Sequence, residues 1–299
     1  MYKAIERNKR NTIVLMIVFV AMVAAVGLAV QAIMDSEYGT GSLTIFWGTF
    51  VGALVYAIFQ YFMASKLAMS MTGATPIKKA DNQRLWRTVE NLAITTGLPM
   101  PEVYIISDSA PNAFATGRDP KHAIVGVTTG LLDIMNDREL TAVLAHEMGH
   151  VQNYDIRVSM ITFGLVSAIG LISDIALRML WYGGNNDRRD TNPIVLLLGI
   201  IAIILAPIVS SIMQMAVSRQ REYLADATGA MTTRDPEGLA SALGKLKRYT
   251  KPMKKQVSSS ANMFMVNPLR SGFFTRLFST HPPLDDRIKR LQEDMNKWS

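Results

Sequence analysis

The chain has 299 residues, 49% hydrophobic and 18% charged, with no cysteine and a formal net charge of +7. Globular domains average about 25% charged residues, so this apolar excess excludes a disordered chain and argues against a single water-soluble domain. The missing cysteine excludes a disulfide scaffold, an iron–sulfur cluster, a thiolate zinc site and a cysteine nucleophile.

The apolar residues are clustered. Residues 11–34, 38–65 and 191–218 carry no Asp, Glu, Lys or Arg, and each run exceeds the roughly 20 residues that a helix needs to cross a bilayer. This predicts spans over 13–34, 43–64 and 193–216, the last kinked at Pro207. A fourth candidate, 158–181, is weaker because Asp174 and Arg178 follow its uncharged part; the two lie four apart, on one helical face. A buried soluble hairpin of 158–181 and 193–216 is the alternative. A cleaved leader ending Val30-Gln31-Ala32 would need a shorter apolar core than residues 11–34 provide. Lys3, Arg7, Lys9 and Arg10 precede the first span, the 35–42 turn has no basic residue, and Lys66, Lys78, Lys79 and Arg84 follow the second. The positive-inside bias therefore puts both termini and the 65–157 segment on the cytoplasmic side. Bilayer contact accounts for the basic balance, and no nucleic-acid partner is expected.

Four parts follow: a membrane region over 1–65, a first polar part over 66–157, a hydrophobic hairpin over 158–216 and a second polar part over 217–299. The first polar part reads as mixed α and β. A helix is expected over 81–97, with Leu85, Val89 and Leu92 on one face, and strands over 102–107 and 123–127. Residues 111–117 between them suit an edge strand, and a second helix covers 140–151. In the second polar part, Asp235-Pro236 opens a helix. Residues 251–274 read as a Ser-, Met- and Lys-bearing linker. Pro283 opens a last helix with an apolar stripe of Leu284, Ile288, Leu291 and Met295.

The chemistry concentrates at His146-Glu147-Met148-Gly149-His150. Histidines four apart on a helix project from one face and can hold one Zn²⁺, with Glu147 beside the metal as a general base. The run Ala142-Val143-Leu144-Ala145 suits a buried helix, and Gly149 permits close approach of a neighbour. A catalytic zinc needs a third ligand. The metzincin extension requires Gly and His where this chain has Asn153 and Ile156, so a carboxylate must serve. Asp155, Asp174, Asp187, Asp190 and Glu222 are the candidates. If the hairpin turns near residue 187, His150 and Glu222 lie 37 and 35 residues from that point. Straight helices would then bring them to similar height. Asp226 shares a helical face with Glu222, an arrangement that repels unless a cation lies between them or one carboxylate grips a ligand imidazole; a solvated acidic pair is the alternative. His281, braced by Pro282 and Pro283, and Arg219 are candidates for donating to the oxyanion of the reaction; a packed His281 is the alternative. His122 reads as a surface residue.

In these residues the sequence resembles the M48 family of zinc metalloproteases. The likeness spans essentially the whole chain: two N-terminal spans, Asn112-Ala113-Phe114-Ala115, HEMGH, a hydrophobic pair, Arg221-Glu222-Tyr223-Leu224-Ala225-Asp226, and Thr280-His281-Pro282. The resemblance implies an α-helical integral membrane protein with four transmembrane helices and a cytoplasmic α+β gluzincin-type protease domain. It implies one Zn²⁺ held by His146, His150 and Glu222, with Glu147 as base. Asn112, Ala113, Phe114 and Ala115 would form the strand beside a polypeptide substrate. The setting it implies is quality control of membrane proteins at the bacterial inner membrane. A transporter or scaffold with a structural zinc is the competing class.

Overall fold

The computed structural model describes residues 2–39, 42–182, 219–249, 251–255, 263–266 and 282–298. Two long helices come first, α1 (Tyr2–Tyr38) and α2 (Thr44–Thr72). Both are long and apolar enough to cross a membrane. Their outer faces expose Ile13, Ile17, Val55, Phe59 and Phe62, a surface suited to hydrocarbon rather than water. They meet at Gly27, where an added Cβ would lie 1.9 Å from Thr49 Oγ1. α1 outruns its predicted span at both ends and α2 at its C-terminal end, because the helical pattern continues past the apolar core. In α2 the extension buries Ala68, Met69 and Thr72. It stops at Gly73, whose φ of 74° is the left-handed cap that glycine tolerates.

A four-stranded sheet follows, in the order β1-β2-β4-β3. Its strands are β1 (Ala74–Pro76), β2 (Glu102–Ile106), β3 (Ala113–Gly117) and β4 (Ala123–Thr128). β2 and β4 are parallel, while β1 and β3 run antiparallel to their neighbours, with Ala115 opposite Val125. Residues 113–117 therefore flank β4 on the outer side, as the sequence suggested. Successive side chains point to opposite faces. Ala113, Ala115, Val125 and Val127 enter a core with helix α3 (Gln83–Thr96) and helix α5 (Asp137–Gln152). Phe114 and Ile124 enter a second core with α1, α2 and helix α6 (Asp155–Tyr182). Gly126 leaves room for the Phe114 ring, since a Cβ there would lie 2.3 Å from it.

Between β4 and α5 lies the short helix α4 (Thr129–Ile134). Helix α5 begins a turn before the expected 140–151 because Asn136 and Glu139 form a reciprocal capping box. Glu139 also takes a 2.6 Å hydrogen bond from Lys245 Nζ, tying α5 to helix α8 (Pro236–Arg248), which Asp235 caps as its sequence predicts. α6 covers the candidate span 158–181, and Val158, Ile161, Phe163 and Leu165 are buried against the other long helices. Residues 193–216 lie outside the described residues, so the hairpin's second arm is not seen. Helices α7 (Arg219–Thr233) and α9 (Leu284–Trp298) complete the described fold.

The linker reading of 251–274 needs correction in part. Met253, Met263, Phe264 and Met265 are buried. Phe264 bridges Phe114 antiparallel, Met265 N–H donates to Ala113 O at 2.9 Å, and the two phenyl rings stand 5.0 Å apart. The outer edge of β3 offers unpaired backbone groups, and an apolar extended run satisfies them; composition alone does not reveal that.

Candidate metal centre

α5 carries His146 and Glu147 fully inside the protein, with His150 one turn further on. α7 lies along α5 with almost no side-chain layer between them. A Cβ on Gly229 would sit 2.9 Å from His146 N and 3.0 Å from His146 Cα, whereas Gly149 meets Ala225 at an ordinary 3.4 Å. The close approach assigned to Gly149 is thus tighter at Gly229. A Gly229→Val substitution is expected to push the helices apart, costing about 1–3 kcal/mol as overpacking does. Thermal unfolding and metal stoichiometry, measured together, check this.

This packing brings Glu222, 72 residues beyond His150, to the two histidines. The Nε2 atoms of His146 and His150 are 3.2 Å apart. Glu222 Oε1 is 3.5 Å from His150 Nε2, and Glu222 Oε2 is 3.8 Å from His146 Nε2. Four-coordinate zinc with ligands at about 2.0–2.1 Å separates neighbouring ligand atoms by about 3.3–3.4 Å. The donor set of two imidazole nitrogens and one carboxylate oxygen therefore fits Zn²⁺ in type and spacing. These three are a group that could hold a metal ion.

Each imidazole has its other nitrogen on a carboxylate. His146 Nδ1 is 2.9 Å from Asp226 Oδ1, and His150 Nδ1 is 3.0 Å from Asp155 Oδ2. Such partners fix the tautomer and aim the free Nε2. Asp155, a candidate third ligand in the sequence, stands behind His150 instead. Burial and the nearby Arg287 guanidinium lower the His146 pKa despite Asp226, which keeps this imidazole neutral. Burial would do the same to His150, but Asp155, Glu222 and Glu147 outweigh it and raise its pKa to about 9. The carboxylates that favour positive charge on His150 would equally favour a cation between the imidazoles.

Glu147 is buried beside this group. Burial pushes its carboxyl up to about 7; Glu222 adds to the rise, while His150, Arg287 and the Ala115 backbone N–H oppose it. The β3 edge therefore reaches the base directly. At its other end, the Asn112 side chain clamps Val266, donating to its carbonyl at 2.7 Å and accepting from its N–H at 3.1 Å. Of Asn112, Ala113, Phe114 and Ala115, the strand brings Ala115 to Glu147, while Asn112 and Ala113 are engaged by residues 265 and 266 and the Phe114 ring enters the opposite core.

Arg287 escaped the sequence reading. It is fully buried on α9 and makes a two-pronged contact with Asp226, at 2.8 Å from Nε and 2.6 Å from Nη2. Its Nη1 lies 3.4 Å from Glu222 Oε2. This guanidinium, more than the neighbouring imidazole, holds the Asp226 carboxyl well below the usual carboxylate range. A signal was present: Arg287 falls inside the stripe of Leu284, Ile288 and Leu291, where an arginine must be buried or break the face. Arg219, by contrast, is exposed at the first residue of α7. His281 lies outside the described residues.

A buried His-His-Glu centre with an adjacent glutamate defines a metallopeptidase type of site, and the comparisons agree. The model of Peptidase family M48 matches residues 79–295. The chain belongs to this family and is a metalloprotease. It is 53% identical over 298 residues, all of both chains, to a protein named Protease HtpX homolog from Tropheryma whipplei strain Twist. A protein of the same name from Lactobacillus acidophilus is 44% identical over 300 residues, covering 98% of this chain and 99% of its own. The crystal structure of S. mikatae Ste24p shares the fold at a TM-score of 0.51 and 20% identity, over 97% of this chain and 67% of that one.

Proposed function

We propose that the chain is a zinc-dependent endopeptidase of the bacterial inner membrane that cleaves misfolded or damaged membrane proteins on the cytoplasmic side. The convergence of His146, His150 and Glu222 within a few ångströms, with Glu147 alongside, carries this reading. His146, His150 and Glu222 would hold the metal. When bound, zinc supplies Lewis acidity that polarises a peptide carbonyl and makes water a competent nucleophile near neutral pH. Glu147 then takes the proton of the attacking water on its carboxylate and delivers it to the departing amine nitrogen. Asp226 and Asp155 keep the Nδ1 protons of the two histidines in place throughout. Arg287 offsets the carboxylates' charge and anchors Asp226.

An extended substrate would add along the β3 edge of Asn112–Ala115, displacing residues 263–266 from Asn112 and Ala113, which suits main-chain recognition with broad sequence tolerance. His281 and Arg219 are proposed as oxyanion donors from the sequence alone. The membrane placement rests on α1 and α2 together with the apolar runs 158–181 and 193–216, read as four spans. Reporter fusions at Lys78 and at the C-terminus are expected to report cytoplasm, and one at Tyr38 the opposite side. The activity is tested by incubating the purified full chain in detergent with an unfolded polypeptide. Cleavage should stop with a chelator and return with added zinc; chelator-insensitive cleavage would contradict the reading.

A further inference from the structure

The corner between α5 and α6 is held by the first turns of α1. Tyr154 turns this corner in a left-handed conformation, with φ of 60°. Asn8, 145 residues earlier on α1, is buried against it. Asn8 Nδ2 donates to Asn153 O at 2.8 Å and to Asp155 Oδ1 at 2.6 Å. The other oxygen of that carboxylate is the one 3.0 Å from His150 Nδ1. Lys9 adds a second attachment, its Nζ 4.8 Å above the centre of the Tyr154 ring. Arg221 Nε stands 3.9 Å from Asp155 Oδ1, so Asp155 is gripped from α1 and α7 as well as by the histidine.

We infer that Asn8 is a positioning residue for the metal centre. The amide hydrogens of Asn8 fix the plane of the Asp155 carboxylate, and Asp155 in turn fixes the His150 proton on Nδ1. The His150 Nε2 lone pair is thereby aimed at the metal position. A carboxamide is suited to this role: it donates to both oxygens of the corner without adding charge, whereas a carboxylate would repel Asp155 and a lysine would compete with His150 for it. The N-terminal turns of the first long helix are then part of the metal site, and the grip on zinc depends on how α1 is seated. This rests on His150 being a zinc ligand.

The test compares zinc affinity by chelator competition in the full-length protein in detergent, alongside kcat and KM. Loss of the partner that orients a metal ligand typically weakens metal binding 10- to 100-fold, and Asn8 acts one step behind such a partner, so the lower end of that range applies. Asn8→Leu is expected to weaken zinc about tenfold and to lower kcat at subsaturating zinc, with KM unchanged. Thr12→Val serves as the control: Thr12 is buried on the same helix and its hydroxyl donates only to Asn8 O, at 3.0 Å. It should remove a hydrogen bond within α1, leaving the Asn8 side-chain contacts to the corner in place, and so should not weaken zinc. Equal zinc affinity in Asn8→Leu and Thr12→Val would overturn the inference. Should Asn8→Leu fail to fold, Asn8→Ser, which keeps one donor, is expected to show an intermediate loss, and wild-type affinity there would also overturn it. A wild-type chain that binds no zinc would be a different result, contradicting the ligand reading itself.

Discussion

Glu147→Gln is expected to abolish peptide hydrolysis while the protein keeps its zinc. The amide preserves the shape of the side chain, and His146, His150 and Glu222 remain in place, so the metal position is intact. The ability to accept a proton is lost. General-base removal costs about 10²–10⁴-fold in rate, so turnover should fall below about a hundredth of wild type. The pH dependence of the parent enzyme carries the same signature. The base works only when ionised, so kcat/KM should fall as pH drops through its pKa. That carboxyl is pushed up to about 7 by burial, and a bound cation beside it would bring it down, so the acid limb should lie below pH 7. Metal analysis together with a cleavage assay across pH checks both statements.

Glu222→Ala is expected to lose zinc and activity together. It removes the oxygen donor 3.5 Å from His150 Nε2 and takes away the carboxylate that faces Arg287 Nη1 at 3.4 Å, leaving a buried cation beside the metal position. Losing a partner behind a ligand costs 10- to 100-fold in affinity, so losing the ligand itself should cost more than about 100-fold. Asp174→Asn, at another carboxylate considered from the sequence, is expected to retain both. Metal stoichiometry of the two purified variants separates the cases.

Much of the site is legible because it is helical and local. The four-residue spacing of His146 and His150, the buried run before them and the carboxylate pair of Glu222 and Asp226 each follow from helix geometry. Asn136 and Glu139 also spelled the true start of α5, a capping pattern that the apolar run overshadowed. What escaped the sequence reading depends on contacts between distant segments. Nothing near Asn8 marks it, because an asparagine among Lys and Arg resembles a solvated helix end; its meaning comes from a corner 145 residues away. Arg287 looks like one more basic residue until its place inside an apolar stripe is weighed against its charge. The linker around Phe264 reads as loop by composition, yet β3 supplies a partner for its backbone. Gly229 shows the same limit, since only the packing of α7 on His146 explains why no side chain fits there.

Anomalous scattering from crystals of the zinc-loaded protein, recorded on both sides of the zinc edge, tests the central claim most directly. It should give one strong peak per chain, about 2.0–2.2 Å from His146 Nε2, His150 Nε2 and a Glu222 carboxylate oxygen, with Asp155 and Asp226 behind the two imidazoles. A peak bound by Asp155 or Asp174 in place of Glu222, or no zinc at His146 and His150, would contradict it.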